Sequence, residues 1–127
     1  MKFQKKELYG KAETLKSMMA DYVSILPEKV KIDNVNYAVI EKEVVLSNGR
    51  SVMGCIDYGR SDIEIVKEIS LENKKLVVMH EVTHGITVER DIKTLIPEEH
   101  YEKVVDEISK GFIQVISDNP GLVQYIK

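Results

Sequence analysis

The sequence predicts one α+β domain, residues 1–127, in which a small three-stranded antiparallel sheet packs against an N-terminal helix, a central helix and a C-terminal helix. Near both ends of the chain, apolar residues recur at alternating steps of three and four, the spacing of amphipathic helices. In the middle, apolar and polar residues alternate, as in strands with one buried face. A chain of 127 residues with 43% hydrophobic content suits a single domain with one core.

The first predicted helix covers residues 5 to about 26 and ends before Pro27. Its apolar residues form one narrow stripe, which favours docking on the core of the same domain. A narrow stripe can also serve as a seam between two paired helices, so the sequence leaves both a monomer and a homodimer open. The stripe consists of Leu8, Ala12, Leu15, Met19, Tyr22 and Leu26.

The middle of the chain predicts the strands. A strand-like stretch from Lys31 to Leu46 leads to Asn48-Gly49, a strong hairpin signal because both central residues of a type I′ turn have positive φ. Val52 to Tyr58 is the predicted return strand. Ile63 to Val66 is a further short strand with alternating character, and we expect it to lie at an exposed edge of the sheet.

Two helices follow the strands. Ser70 suits the N-cap of a helix from Leu71 to Glu89. Pro97 suits the first position of a last helix, residues 97–117, which ends at the Asp, Asn, Pro and Gly that follow. Residues 122–127 receive no assignment. The predicted core stripe of the last helix is Tyr101, Val104, Val105, Ile108, Phe112, Val115 and Ile116.

Composition excludes several classes of protein. The net charge is −3, so no basic surface favours a nucleic-acid backbone. No apolar run approaches the length of a membrane span, and the N-terminus becomes charged too early for a signal peptide. The single cysteine, Cys55, cannot form an internal disulfide, and its strand-like surroundings predict a buried, inert thiol. We expect a cytoplasmic protein with no nucleic-acid and no membrane partner.

The sequence His80-Glu81-Val82-Thr83-His84 has the H-E-x-x-H pattern and lies within the predicted central helix. Residues i and i+4 share one face of a helix, so the two histidines can bind one metal ion. Glu81 then lies beside that metal, where its carboxylate can accept a proton from water. Zinc lowers the pKa of bound water to about 7, which makes hydroxide available near neutral pH. Burial of these groups without a metal would be costly, which favours a zinc site over two hydrogen-bonded core histidines.

A catalytic zinc usually has three protein ligands, so a third residue must come from another element. Glu102 borders the apolar stripe of the last helix, and Asp106 lies one turn further, where it can accept the second ring N–H of a ligand histidine. The alternative is that both are solvated acids on the outer face. His100, Glu98 and Glu99 are the other candidate ligands. His100 is two residues from Glu102, about 200° around the helix, so both cannot face the same metal.

The motif His80-Glu81-Val82-Thr83-His84-Gly85-Ile86, followed by Glu102-Lys103-Val104-Val105-Asp106, resembles the gluzincin pattern. The small size resembles the ImmA/IrrE-type metallopeptidases, especially the short versions of phages and prophages. The similarity runs from about Gly54 to Pro120 and includes Asp57-Tyr58 before a short strand. The chain departs from many members at Val105-Asp106, where they have Ala-Asn or similar residues.

The resemblance implies a minimal zincin-like fold in which an edge strand lies above the motif helix. It implies zinc bound by His80, His84 and Glu102, with Glu81 as the general base and Asp106 behind a ligand histidine, His80 being the favoured one. It gives no clear match for the residue that donates to the transition-state oxyanion. The candidates for that residue are Tyr58, Tyr101 and His100.

The predicted function is that of a zinc-dependent peptidase that hydrolyses a peptide bond of a protein partner. An extended peptide substrate would add a strand to the predicted edge, formed by Ile63, Glu64, Ile65 and Val66. Two alternatives stay open at this point. One is a non-catalytic zinc- or peptide-binding module of the same fold, and the other is a phage-type regulatory adaptor.

Overall fold

The computed structural model describes residues 25–127, and this part of the chain has the predicted α+β class. The predicted first helix and its apolar stripe lie outside the described residues, apart from the last two positions. Six strands precede three helices. The strands are β1 (Lys29–Ile32), β2 (Val35–Lys42), β3 (Val45–Ser47), β4 (Arg50–Val52), β5 (Gly54–Asp57) and β6 (Asp62–Val66). The helices are α1 (Leu71–Glu89), α2 (Glu98–Asp118) and α3 (Pro120–Ile126), with a 3-10 turn at Lys93–Leu95.

The main sheet has four strands in the order β1-β2-β6-β5. β1 pairs with β2 and β5 pairs with β6 in antiparallel fashion, but β2 and β6 are parallel. The predicted three-stranded antiparallel sheet is therefore wrong. That prediction assumed that strands pair with their neighbours in sequence, whereas β6 inserts between β2 and β5 after the chain has left the sheet to form β3 and β4.

The position of β6 also corrects the predicted edge. Ile63 and Ile65 have no exposed surface, because they face the core between α1 and the sheet. Glu64 points to the other face and pairs with Lys42. Ile63, Glu64, Ile65 and Val66 thus form an interior strand with partners on both sides, and the free edges of the sheet belong to β1 and β5. The alternation of Ile and Glu indicates one buried face but carries no information about lateral neighbours.

The predicted hairpin is confirmed. Asn48 and Gly49 have φ angles of 53° and 77° and connect β3 to β4 in antiparallel register. The predicted return strand divides at Met53. Its first part, β4, stays in the hairpin, and its second part, β5, joins the main sheet.

The helix boundaries agree closely with the sequence. The side chain of Ser70 accepts a hydrogen bond from the N–H of Asn73 at 3.2 Å, which caps α1 at the predicted residue. α2 begins directly after Pro97. The unassigned tail is the short helix α3, which starts at Pro120. None of the described helices is both long and apolar enough to cross a membrane.

α1 lies against the sheet over a core formed by Ile32, Tyr37, Ile63 and Ile65. The contact is closest at Gly85, directly after the second motif histidine. A Cβ atom there would lie 2.5 Å from Ile32 Cδ1 and 3.2 Å from Ile56 Cδ1. A glycine at this position therefore lets the histidine-bearing turn of α1 approach the sheet.

The core stripe predicted for α2 holds only in part. Tyr101 and Val105 are buried, and Val104 is half-buried. The small residue Ser109 continues the buried face instead of the large apolar residues of the stripe. The remaining predicted core residues are 38–46% exposed; they are Ile108, Phe112, Val115 and Ile116.

Candidate metal centre

Two adjacent helices bring together three groups that could bind a metal ion: His80, His84 and Glu102. The Nε2 atoms of the two histidines are 3.1 Å apart. One carboxylate oxygen of Glu102 lies 3.3 Å from His84 Nε2, and the other lies 3.4 Å from His80 Nε2. One ligand atom from each of the three residues lies within 4.8 Å of the other two.

These distances fit a tetrahedral zinc ion. Zinc forms bonds of about 2.0–2.1 Å to imidazole nitrogen and carboxylate oxygen, so neighbouring ligand atoms of a tetrahedron are roughly 3.3 Å apart. The 3.1 Å between the two Nε2 atoms and the 3.3 Å from His84 Nε2 to the nearer oxygen of Glu102 lie close to that value, whereas His80 approaches the other oxygen of Glu102, at 3.4 Å. Three ligands also leave one tetrahedral position for water or substrate, as catalytic zinc sites do.

The side chains of the three residues differ in solvent exposure. The side chains of His84 and His80 are 12% and 24% exposed, whereas that of Glu102 is 71% exposed. Both histidines lie on the side of α1 that meets α2, and Glu102 reaches them from the exposed surface of α2. His100 is 66% exposed and lies 3.5 Å from Glu99, away from the cluster. The structure thus places Glu102, and not His100, at the two histidines.

Glu81 is almost wholly buried between α1 and β5, and only 7% of its surface is exposed. Burial raises the pKa of its carboxyl group to about 7. The nearby carboxylate of Glu102 raises the pKa further, whereas His80 and a backbone hydrogen bond from Ile56 lower it. A carboxylate with a pKa near neutrality is well suited to accept and return a proton.

Each histidine has a second partner at its Nδ1 atom. His80 Nδ1 lies 3.4 Å from Asp106 Oδ1, as predicted for Asp106, which also pairs with Lys110 at 2.7 Å. His84 Nδ1 lies 2.9 Å from the hydroxyl of Tyr101. That hydroxyl is in turn 2.5 Å from Thr87 Oγ1.

The cluster opens into a cleft of about 880 Å³ between α1, α2, β5 and the β3–β4 hairpin. The lining includes the apolar side chains of Met53 and Leu76 and the charged side chains of Lys93 and Glu98. Tyr58 also lines the cleft and is 39% exposed. Burial and the neighbouring acidic groups raise its pKa above the usual tyrosine value, so its hydroxyl stays protonated and can donate a hydrogen bond.

The structure separates the three candidates for the oxyanion donor. His100 does not line the cleft. The hydroxyl of Tyr101 is engaged by His84 and Thr87. Tyr58 alone of the three lines the cleft without a hydrogen-bond partner among the described residues.

Two features of the site were not identified from the sequence. The hydroxyls of Tyr101 and Thr87 contact His84, and the backbone of Ile56 contacts Glu81. The one available signal was Thr87, a hydroxyl residue three positions after a motif histidine in an otherwise apolar stretch. Its partner could not be named before the pairing of α1 with α2 was known.

Comparison of the chain with protein-family models, with curated proteins and with solved structures gives no match. The assignment of a function therefore rests on the motif and on the geometry of the site.

Proposed function

We propose that this chain is a zinc-dependent peptidase that hydrolyses a peptide bond of a protein partner, in the manner of the ImmA/IrrE-type metallopeptidases that its motif resembles. The observation that carries the proposal is the group of His80, His84 and Glu102, whose ligand atoms lie within 4.8 Å of one another, beside the buried carboxylate of Glu81. A purely structural zinc site has no use for such a carboxylate, because its four positions are filled by protein ligands.

In this proposal, His80, His84 and Glu102 hold the zinc ion. When bound, zinc supplies Lewis acidity that polarises the substrate carbonyl and makes water more acidic. Glu81 accepts a proton from the attacking water and transfers it to the leaving nitrogen. Tyr58 donates a hydrogen bond to the carbonyl oxygen as negative charge develops on it.

The substrate strand would pair with β5, the edge strand that lines the cleft. The N–H of Val66 donates to the C=O of Met53 at 2.9 Å, which makes these two a hydrogen-bonded pair of the antiparallel ladder. Such pairs alternate along a ladder, so the backbone groups of Cys55 also point to β6. The backbone groups of Gly54 and Ile56 consequently point to the free edge.

One of those edge groups lies beside Glu81, because the backbone of Ile56 is close enough to lower the pKa of that carboxyl group. The N–H and C=O of Gly54 are then the groups that an extended peptide would use. A Cβ at Gly54 would lie 2.4 Å from Val77 Cγ1, so a glycine there holds β5 close above α1, one turn before His80. This arrangement would direct a bound peptide across the metal cluster.

The Glu81→Gln substitution tests the proposal. Gln keeps the shape and the hydrogen-bonding groups but cannot act as a base at neutral pH. We expect the zinc-loaded variant to keep its metal and to lose at least about 100-fold of its hydrolytic rate. The readout is cleavage of a mixture of unstructured peptides, followed by mass spectrometry.

Glu99→Gln is the matched control, since Glu99 is exposed and does not line the cleft. It should cleave the peptides at the wild-type rate. A zinc-loaded Glu81→Gln protein that cleaves as fast as wild type would contradict the general-base assignment. A zinc-loaded wild-type protein that cleaves none of the peptides would favour the non-catalytic binding module.

A further inference from the structure

We propose that the hydroxyls of Tyr101 and Thr87 act as positioning groups that fix the ring of His84 in the tautomer needed for metal binding. This inference rests on the metal site of the proposed function and adds two residues to it. Three short contacts form a closed path. His84 Nδ1 lies 2.9 Å from Tyr101 Oη, Tyr101 Oη lies 2.5 Å from Thr87 Oγ1, and Thr87 Oγ1 lies 2.7 Å from the backbone oxygen of His84.

The direction of each hydrogen bond follows from the last contact. A carbonyl oxygen can only accept, so the hydroxyl of Thr87 donates its one proton to the C=O of His84. Thr87 Oγ1 must then accept the proton of Tyr101. Because Tyr101 donates its only proton to Thr87, its Oη must accept a hydrogen bond from His84. The hydrogen of the neutral His84 ring therefore lies on Nδ1. All three contacts are hydrogen bonds only with this assignment.

This assignment determines the state of the other ring nitrogen of His84, Nε2. A neutral imidazole with hydrogen at Nδ1 has a free lone pair at Nε2. His84 Nε2 is the atom that faces His80 and Glu102. The opposite tautomer, with hydrogen on His84 Nε2, would direct that hydrogen at His80 and Glu102. It would also leave one of the three contacts without a proton to form a hydrogen bond. The path therefore favours the form of His84 that can bind a cation.

The partners of the two histidines differ in character. His80 faces Asp106, a charged side chain that is 42% exposed and shared with Lys110. His84 faces the neutral hydroxyl of Tyr101, a residue that is 7% exposed as a whole. Burial removes competition from water, so the hydrogen bonds of Tyr101 are costly to break without replacement. The ring of His84 is thus held more firmly than that of His80.

Tyr101 has a second effect through its place in the chain. It directly precedes Glu102, so the side chain that orients His84 also fixes the turn of α2 that carries the third ligand. Lys93 lies 5.0 Å from the centre of the Tyr101 ring and covers its outer face. Loss of the hydroxyl alone should free the His84 ring without removing this packing.

The test compares zinc affinity in four variants by competition with a chelating dye. Tyr101→Phe and Thr87→Val each remove one hydroxyl at nearly constant shape, and we expect each to weaken zinc binding about 10–100-fold. Thr87→Ser restores the hydroxyl and should bind zinc as wild type does. Thr83→Val is the matched control, because Thr83 is also buried on α1 and bonds to Met79 O at 2.7 Å without contact to a ring.

A double variant, Tyr101→Phe with Thr87→Val, tests whether the two hydroxyls form one path. If the two hydroxyls belong to one path, the double variant should bind zinc only slightly more weakly than the weaker of the two single variants. Full additivity would contradict the path, and so would zinc affinity in Thr87→Val equal to that of Thr83→Val. Zinc binding by wild type with unchanged binding by all variants would overturn this inference alone. Absence of zinc binding by wild type would overturn the proposed function with it.

Discussion

The two halves of α2 share one sequence pattern but have different surroundings. Residues 98–109 face α1, bury Tyr101, Val105 and Ser109, and bring Glu102 to the histidines. Residues 110–118 continue the amphipathic pattern, yet Phe112 is 46% exposed there. The apolar spacing marks which face of a helix can be buried, whereas burial itself depends on a neighbouring element. Among the described residues, the candidate metal ligand Glu102 lies in the half that packs on α1.

The largest effect should be on zinc affinity, after substitution of the candidate ligand Glu102 in the first half of α2. Glu102→Ala removes a carboxylate whose oxygens lie 3.3 and 3.4 Å from the histidine nitrogens, so zinc affinity should fall at least about 10–100-fold. His100→Ala changes a residue two positions away that points to solvent, and it should bind zinc almost normally. Titration of both variants against a chelating dye gives the answer. Loss of zinc in His100→Ala and retention in Glu102→Ala would exclude the ligand set.

A second pair of variants compares the burial of the two halves directly. Val105 has no exposed surface, so Val105→Ala should lower the free energy of unfolding by about 2 kcal/mol. Val115 is 38% exposed on the same helix, and Val115→Ala should change that free energy by less than about 0.5 kcal/mol. Urea unfolding followed by circular dichroism measures both. Equal losses at the two positions would mean that the far half is packed as tightly as the near half.

The smallest expected effects concern two glycines in helices. Around Gly111 in the far half of α2, no atom of the described residues outside its own stretch of helix lies within 4 Å of an added Cβ, so Gly111→Ala should raise the free energy of unfolding by roughly 0.5–1 kcal/mol through helix propensity. At Gly85, the added Cβ would meet the buried Ile32 at 2.5 Å. There the clash should exceed the gain in propensity and lower stability by about 1 kcal/mol. Thermal unfolding of the two variants should shift in opposite directions, and a shared sign would contradict the close contact at Gly85.

Local features of the fold could be predicted from the sequence because they depend on residues close together in the chain. The bounds of α1, its cap at Ser70 and the Asn48-Gly49 turn belong to this group. The position of Glu102 beside the histidines was also predictable, since the residues of a helix that border its apolar face lie near the helix it packs on. These features are enough to identify the motif and the candidate metal ligands, and to propose Glu81 as the general base.

Features that depend on lateral neighbours could not be predicted. The alternation in β6 is the same for an edge strand and an interior strand, so Ile63 to Val66 was placed at the wrong position in the sheet. The contact of Thr87 with Tyr101 joins two helices, and the spacing within either helix carries no sign of it. The free edge at Gly54 becomes evident only when β6 is known to lie behind β5.

The zinc content of the purified protein tests the central claim most directly. The protein would be purified without added metal and measured by elemental analysis, next to Glu102→Ala and His84→Ala prepared in the same way. The group of His80, His84 and Glu102 predicts close to one zinc ion per wild-type chain and a clear loss in both variants. A wild-type protein that stays folded, yet holds no stoichiometric zinc and acquires none when zinc is supplied, would contradict the metal centre and the peptidase proposal with it.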